Sequence, residues 1–235
     1  MRICGLQKLA MVDFPGKIAA TVFAGGCNLR CPFCHNALLV TRLAESPAMD
    51  EGEVLAFLEK RRGLLEGVVL SGGEPLLQSG AVDFLRRVRA LGYAVKLDTN
   101  GFYPVPLAAI LAEGLVDYVA MDIKNAPDKY ALTCGLPTLD LAPIEESIRF
   151  LLAGNVDFEF RTTLVRELHE PQDVVNMGRW LTELSDGKPV PKLFLQPFVD
   201  RDTVAFSGLH APENHQTAEF AELLKSFVLE IAVRG

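Results

Sequence analysis

Ile18-Ala19-Ala20-Thr21-Val22-Phe23-Ala24 runs straight into Gly25-Gly26-Cys27-Asn28-Leu29-Arg30-Cys31-Pro32-Phe33-Cys34-His35-Asn36. A short apolar run closed by a glycine pair reads as a buried strand ending in a turn. The residues after the turn do not build core: they are a crowd of thiols and polar groups. The same succession recurs down the chain. Gly67–Leu70 leads into Ser71-Gly72-Gly73-Glu74-Pro75, Ala94–Asp98 into Thr99-Asn100-Gly101, and Tyr118–Asp122 into Ile123-Lys124. Phe158–Thr163, carrying Arg161, and Lys192–Gln196, with Pro197-Phe198 after it, are two further strand candidates.

Helical patterns fill the gaps. Asp50 and Glu53 have capping-box spacing ahead of Val54, Phe57 and Leu58. Ala81–Leu91 puts Val82, Leu85 and Val88 on one face, and Gly92 stands where such a helix stops. Pro143 and Pro171 are placed to start two more, the second running through Leu181 and carrying Trp180 as a core residue. A final helix is expected over Glu213–Val233, on the stripe Phe220, Leu223, Leu224, Phe227 and Ile231. Strand and helix alternating about six times imply an α/β fold with a parallel sheet, open or curled into a barrel. Residues 1–235 are read as one domain. In such folds chemistry gathers at the C-terminal ends of the strands, where the polar motifs lie.

Composition excludes several function classes. With 49% hydrophobic and 23% charged residues, the 235-residue chain reads as folded and soluble. No apolar run approaches the ~18 residues needed to cross a bilayer. Gln7, Lys8 and Asp13 break the leading segment, so no signal peptide is expected and the default location is the cytoplasm. A net charge of −7 disfavours nucleic acid as a partner. Lys60-Arg61-Arg62 and Arg86-Arg87 fall near helix ends, where cations complement the dipole.

Cys27, Cys31 and Cys34 fall within eight residues, while Cys4 and Cys134 stand apart and read as small buried hydrophobes. Clustered cysteines in a reducing compartment bind metal or do chemistry more often than they pair. C-x3-C-x2-C on one loop can wrap one face of a compact metal centre. A structural zinc site needs a fourth ligand, which His35, Cys4 or Cys134 could supply, giving a non-enzymatic binding module. A four-iron cluster held by three thiolates instead leaves one iron open.

C-x3-C-x2-C with Phe33 before the last cysteine resembles the cluster loop of the radical S-adenosylmethionine (SAM) enzymes, and Gly72-Gly73-Glu74-Pro75 resembles their GGE motif. Cys34-His35-Asn36, Leu97–Gly101 and Met121–Lys124 are similar to the glycyl-radical-enzyme activases. The leading segment looks most like activating proteins of anaerobic ribonucleoside-triphosphate reductase, next like pyruvate formate-lyase activases. The match is good from Gly5 to Lys124 and thinner beyond. The resemblance implies a partial (β/α)6 barrel of TIM type. It further implies a [4Fe–4S] cluster on Cys27, Cys31 and Cys34, with SAM on the fourth iron.

The resemblance also distributes roles. Gly72 and Gly73 would let the backbone approach SAM, with Glu74 near its amino group; Phe33 and His35 would flank the adenine. Asp98 and Asp122 would hold a monovalent cation, Lys124 would face the SAM carboxylate or ribose, and Arg161 would reach SAM from the fifth strand candidate. Without the family, Asp98 is also a good turn residue, Lys124 an ordinary solvated lysine and Glu74 a helix cap. A histidine that pyruvate formate-lyase activases carry after the sixth strand is absent from Gln196-Pro197-Phe198-Val199-Asp200. Asn125–Pro137 is a candidate flap. The implied partners are a glycyl radical enzyme and a reductant such as flavodoxin or ferredoxin. A small-molecule radical SAM enzyme, such as 7-carboxy-7-deazaguanine synthase, is the second enzymatic reading; that family usually has a longer first cysteine spacing.

Overall fold

The computed structural model describes residues 1–41, 43–46, 48–154, 156–204 and 206–234. Eight strands form one sheet: β1 (Ile3–Ala10), β2 (Ala19–Ala24), β3 (Gly67–Gly72), β4 (Ala94–Thr99), β5 (Tyr118–Asp122), β6 (Asp157–Leu164), β7 (Val190–Pro197) and β8 (Val228–Val233). Their order in space is their order in sequence. β1 runs antiparallel to β2, and every later pair is parallel. Among the described residues β1 and β8 are not paired with one another, so the barrel-like sheet stays open along one side.

Helices α1 (Ala37–Thr41), α2 (Glu51–Lys60), α3 (Ala81–Ala90), α4 (Pro104–Ala112), α5 (Pro127–Thr133), α6 (Ala142–Ala153), α7 (Pro171–Leu184) and α8 (Asn214–Leu224) connect the strands. Period-two alternation explains how they pack. Val68 and Leu70, Val95 and Leu97, Val119 and Met121, and Leu193 and Leu195 are fully buried in one core with Leu85, Ile110, Ile148 and Leu181 of the helices. The alternate positions turn to the other face, and toward the strand C-termini they include the polar residues Lys96 and Asp98 on β4, Asp122 on β5, and Glu159 and Arg161 on β6. A small apolar cluster of Phe14, Ala19, Val69 and Tyr118 closes the lumen at the opposite end from the strand C-termini.

All six expected strands are present, with ends that shift by at most two residues. Three expectations change. The leading segment is an unanticipated strand, β1, whose apolar residues lack clean alternation. The helix expected over Glu213–Val233 ends at Leu224, and Val228–Val233 is β8. Phe227 and Ile231 fit a helical stripe by coincidence, while the run Val228-Leu229-Glu230-Ile231-Ala232-Val233 is rich in β-branched residues and meets the edge of β7. Asn125–Pro137 is no flap: it holds α5, with Tyr130 and Cys134 fully buried. Trp180 is core as expected; its ring meets Tyr130 edge-on at 5.9 Å and its indole N–H donates to Glu145.

Phe14 comes from the loop after β1 and is 3% exposed. Deleting a buried phenyl ring costs about 3–5 kcal/mol. Phe14→Ala should therefore lower the urea midpoint by that equivalent, with Phe14→Leu losing less.

Candidate active site

A cavity of about 440 Å³ opens at the C-terminal ends of the strands. One wall is the loop after β2, with Cys27, Cys31, Phe33, Cys34 and His35; the other carries Asp98, Asp122, Lys124 and Arg161. Gly72 and Gly73 lie between them. Of the residues expected to hold the cluster or SAM, Glu74 alone does not line the cavity.

The two glycines are required by the protein's own backbone. Gly72 has φ 119°, and a Cβ there would sit 2.4 Å from the nitrogen and oxygen of Ala24. At Gly73 a Cβ would sit 2.0 Å from the carbonyl oxygen of Gly26. The gap is closed by Gly73 N–H donating to Ala24 at 2.9 Å and Glu74 N–H donating to Gly26 at 2.8 Å. The end of β3 is thus sewn to the start of the cysteine loop. Asn36 adds a stitch, its Nδ2 donating to the Gly72 carbonyl at 2.8 Å.

Glu74 turns inward and is fully buried. It accepts from Leu76 N–H at 3.0 Å, Thr99 Oγ1–H at 2.9 Å and Asn100 N–H at 2.7 Å. Burial raises its pKa to about 7 despite those bonds. Its place is under the floor, tying β3 to β4, because three donors there satisfy it better than the open cavity would.

The cysteine loop is held by its own polar groups. The Leu29 N–H and the Asn100 amide both donate to the Cys27 sulfur, at 3.3 and 3.7 Å. Arg30 N–H donates to the Cys134 carbonyl at 2.9 Å. Burial pushes the Cys27 thiol up to about 12 and also raises Cys34. Cys31 goes the other way, lowered chiefly because the Cys134 side chain acts as its hydrogen-bond donor. Among the described residues no three His, Cys, Asp or Glu side chains stand close enough to chelate one ion. The donor set nevertheless suits an iron–sulfur cluster: three sulfurs share one loop, and that loop also lines the cavity.

Opposite the cysteines runs a line of charge. Ser71 donates to one oxygen of Asp98 at 2.9 Å while Lys96 pairs with the other. Arg161 donates to Asp122 at 3.0 Å and lies 3.6 Å from Asp98. Lys124 donates to the second oxygen of Asp122 at 2.8 Å. Burial alone would raise Asp122, but Lys124 and Arg161 hold it near 2, and in return Asp122 raises Lys124 against its own desolvation. The place between Asp98 and Asp122 expected for a monovalent cation is occupied by the Arg161 guanidinium, so the fixed charge of the chain stands where that ion was expected.

His35 is bonded through Nε2 to the Val199 carbonyl at 2.6 Å and stacks on Phe198, ring centroids 5.8 Å apart. It is therefore a clasp between the cysteine loop and the segment after β7, where the absent histidine would have been. Gln196 lines an adjoining cavity in the lumen. Residues given no role from sequence also matter. Lys96 was legible from its two-residue spacing to Asp98. Ser71 and Asn36 lay inside the quoted motifs. Phe206, which also lines the cavity, and His169, bonded to the Lys124 carbonyl, carried no local signal.

A model described as the radical SAM superfamily matches residues 21–179. The chain belongs to that superfamily. Membership brings a [4Fe–4S] cluster and SAM as cofactors of an enzyme. Among its relatives is a protein of Methanocaldococcus jannaschii to which glycyl-radical enzyme activation is ascribed; the two are 29% identical over 99% of this chain and 95% of that one. The pyruvate formate-lyase-activating enzyme of Listeria monocytogenes is 30% identical over 82% of this chain and 80% of its own. In fold, the chain is similar to a crystal structure of a domain of pyruvate-formate lyase-activating enzyme from Bacteroides vulgatus, with TM-score 0.57, 19% identity, and 72% and 99% of the two chains covered. The partial barrel is thus the radical SAM type. No helix among the described residues is long and apolar enough to cross a membrane.

Gly73→Ala should drive the Gly26 carbonyl away and loosen the radical SAM cysteine loop, reducing iron retained after anaerobic reconstitution. A pH effect is expected at His169, which is buried, accepts from Val165 N–H at 3.1 Å through Nδ1 and donates to the Lys124 carbonyl through Nε2 at 2.9 Å. Burial lowers its pKa from 6.5, so the folded state resists a proton that the unfolded chain accepts. Its stabilising contribution is complete above 6.5 and is lost as pH falls. Melting between about pH 7.5 and about 5.5 should show a smaller loss of stability in His169→Gln than in the parent.

Proposed function

We propose that this chain is an activase that installs a glycyl radical on anaerobic ribonucleoside-triphosphate reductase. The observation that carries the reading is the open side of the sheet. A second cavity, about 500 Å³, lies along the lumen and shares Asp98, Arg161 and His35 with the first. It is lined by Val12 and Pro15 from one edge of the sheet and Arg234 from the other. A polypeptide loop entering there would bring a glycine to the SAM cavity without crossing a β-ladder. Glycine suits the chemistry, because its α-radical is stabilised by the backbone and no side chain blocks it. The relatives ascribed to glycyl-radical activation support the same class.

In this reading Cys27, Cys31 and Cys34 hold the cluster. Such a cluster would supply one-electron reduction of SAM, the source of the oxidising power needed to take a glycine hydrogen. The residues of the chain bind and orient. Gly72 and Gly73, which line the cavity without side chains, would let the methionyl end of SAM approach the backbone. Lys124, held cationic by Asp122, would meet its carboxylate or ribose as a point charge. Arg161 fixes the spacing of the two acids, and Phe33 with the His35 clasp would border the adenine. Glu74 acts by holding the turn. A reductant such as a flavodoxin or a ferredoxin would supply the electron.

The test mixes reduced protein, SAM and the reductase without oxygen and records an EPR spectrum. A glycyl doublet on the reductase, lost when the target glycine becomes alanine, is the expected result. A doublet only on pyruvate formate-lyase would assign the sister activity, which the Listeria relative favours. Replacing Cys27, Cys31 or Cys34 by Ser should abolish formation of 5′-deoxyadenosine, and Cys4→Ser should leave it intact. Lys124→Ala should weaken SAM binding by roughly ten- to a hundredfold, since a charge-assisted contact is worth about 1.5–3 kcal/mol, while iron content is unchanged. Anaerobic calorimetry measures the first quantity and an iron assay the second.

A further inference from the structure

Cys134 is a fully buried thiol that the proposed chemistry does not use. It stands at the C-terminus of α5, and the chain there is pressed against the cysteine loop. Its carbonyl accepts the Arg30 N–H at 2.9 Å. Gly135 comes next with φ 68°, and a Cβ at that position would lie 2.2 Å from the Arg30 carbonyl oxygen. A hydrogen bond and a contact that only glycine permits therefore fix α5 to the peptide just before Cys31. The side chains share one packed region as well: Cys134 is a fully buried member of the main core, and Cys31 packs against that core. Cys4 lies elsewhere, with its sulfur beside Gly25.

We propose that Cys31 and Cys134 form a reversible disulfide when the protein loses its cluster under oxidation, so that Cys134 shelters a cluster ligand from irreversible damage. Cys31 lines the cavity and is reachable by a small oxidant such as hydrogen peroxide. The Cys31 thiolate attacks one peroxide oxygen, breaking the O–O bond and giving a sulfenic acid and hydroxide. The Cys134 sulfur, losing its proton, then attacks the Cys31 sulfur and expels the hydroxyl as water. One S–S bond has formed; two electrons have passed from the sulfurs to peroxide, which leaves as two waters. Without a neighbouring thiol the sulfenic acid would proceed to the sulfinic and sulfonic acids, from which no cluster can be rebuilt. A dithiol reductant reverses the disulfide. The proposal depends on the contact of the two cysteines; only its benefit depends on Cys31 being a cluster ligand.

The test takes reconstituted holoprotein, treats it with hydrogen peroxide until the cluster absorbance is gone, and alkylates free thiols under denaturing, non-reducing conditions. Digestion and mass spectrometry should recover a peptide pair joined through Cys134, two hydrogens lighter than its reduced parts, with fragmentation placing the bond on Cys31 and not Cys34. Dithiothreitol should dissolve it and restore iron uptake. In Cys134→Ala the pair should vanish, Cys31 should be found over-oxidised, and iron uptake after the same treatment should fall severalfold; Cys4→Ala should behave as the parent. Free, alkylated Cys134 in the oxidised parent protein would overturn the proposal. So would a bond from Cys134 to Cys34, or disulfides confined to Cys27, Cys31 and Cys34. Because the parent protein gives the decisive result, a variant that folds poorly does not rescue the idea.

Discussion

Lys96, Asp98, Asp122, Lys124 and Arg161 crowd into the lumen of a sheet whose other face is close-packed hydrocarbon, and the arrangement survives only because each charge finds an opposite one. Burying an unpaired charge costs several kcal/mol, and removing one partner from a buried pair leaves that cost uncompensated. The Ser71–Asp98–Arg161–Asp122–Lys124 line draws on β3, β4, β6, β5 and the turn after β5. It thereby fixes the relative heights of four strand ends and, through them, the wall that faces the cysteines. On that wall Lys124 and Arg161 balance Asp98 and Asp122, so the charges of the wall are paired among themselves.

The opposite wall is positioned by backbone proximity. Gly72 and Gly73 allow β3 to touch the start of the cysteine loop, and Gly135 lets α5 touch its middle. The loop contributes few apolar side chains of its own to the core, so these close approaches and the His35 clasp take the place of packing. Of its larger side chains, Leu29 and Phe33 alone anchor it by burial, at 3% and 4% exposure.

Much of this was legible in the sequence because strand-end motifs announce themselves twice, by an apolar run and by the reactive residues after it. The six central strands and the cavity residues of their C-terminal turns came from that pairing. The edges did not. β1 mixes Gly5, Gln7 and Lys8 into its run, and β8 has exposed Leu229 and Val233, so neither shows the alternation of a half-buried strand. Side-chain direction was also out of reach. Nothing local distinguishes a Glu74 that faces a ligand from one that accepts three donors beneath the floor, and Arg161 between two acids depends on pairing of strands far apart in sequence. The partnership of Cys134 with Cys31 is of the same kind, set by how α5 lies across the loop.

The unpaired margin between β1 and β8 gives the molecule a mechanical compliance that a closed barrel lacks. Spreading two ladder-bonded strands breaks backbone hydrogen bonds one after another, each exposing groups that must be resolvated. Spreading this margin breaks no ladder; it asks only for a slight change of twist shared over seven strand pairings. The stiff axis of the sheet runs across the strand ends, where the charged line and the glycine contacts lie. The soft axis runs along the margin. A macromolecule pressing in from that side would deform the scaffold where deformation is cheap and leave the reacting geometry unmoved.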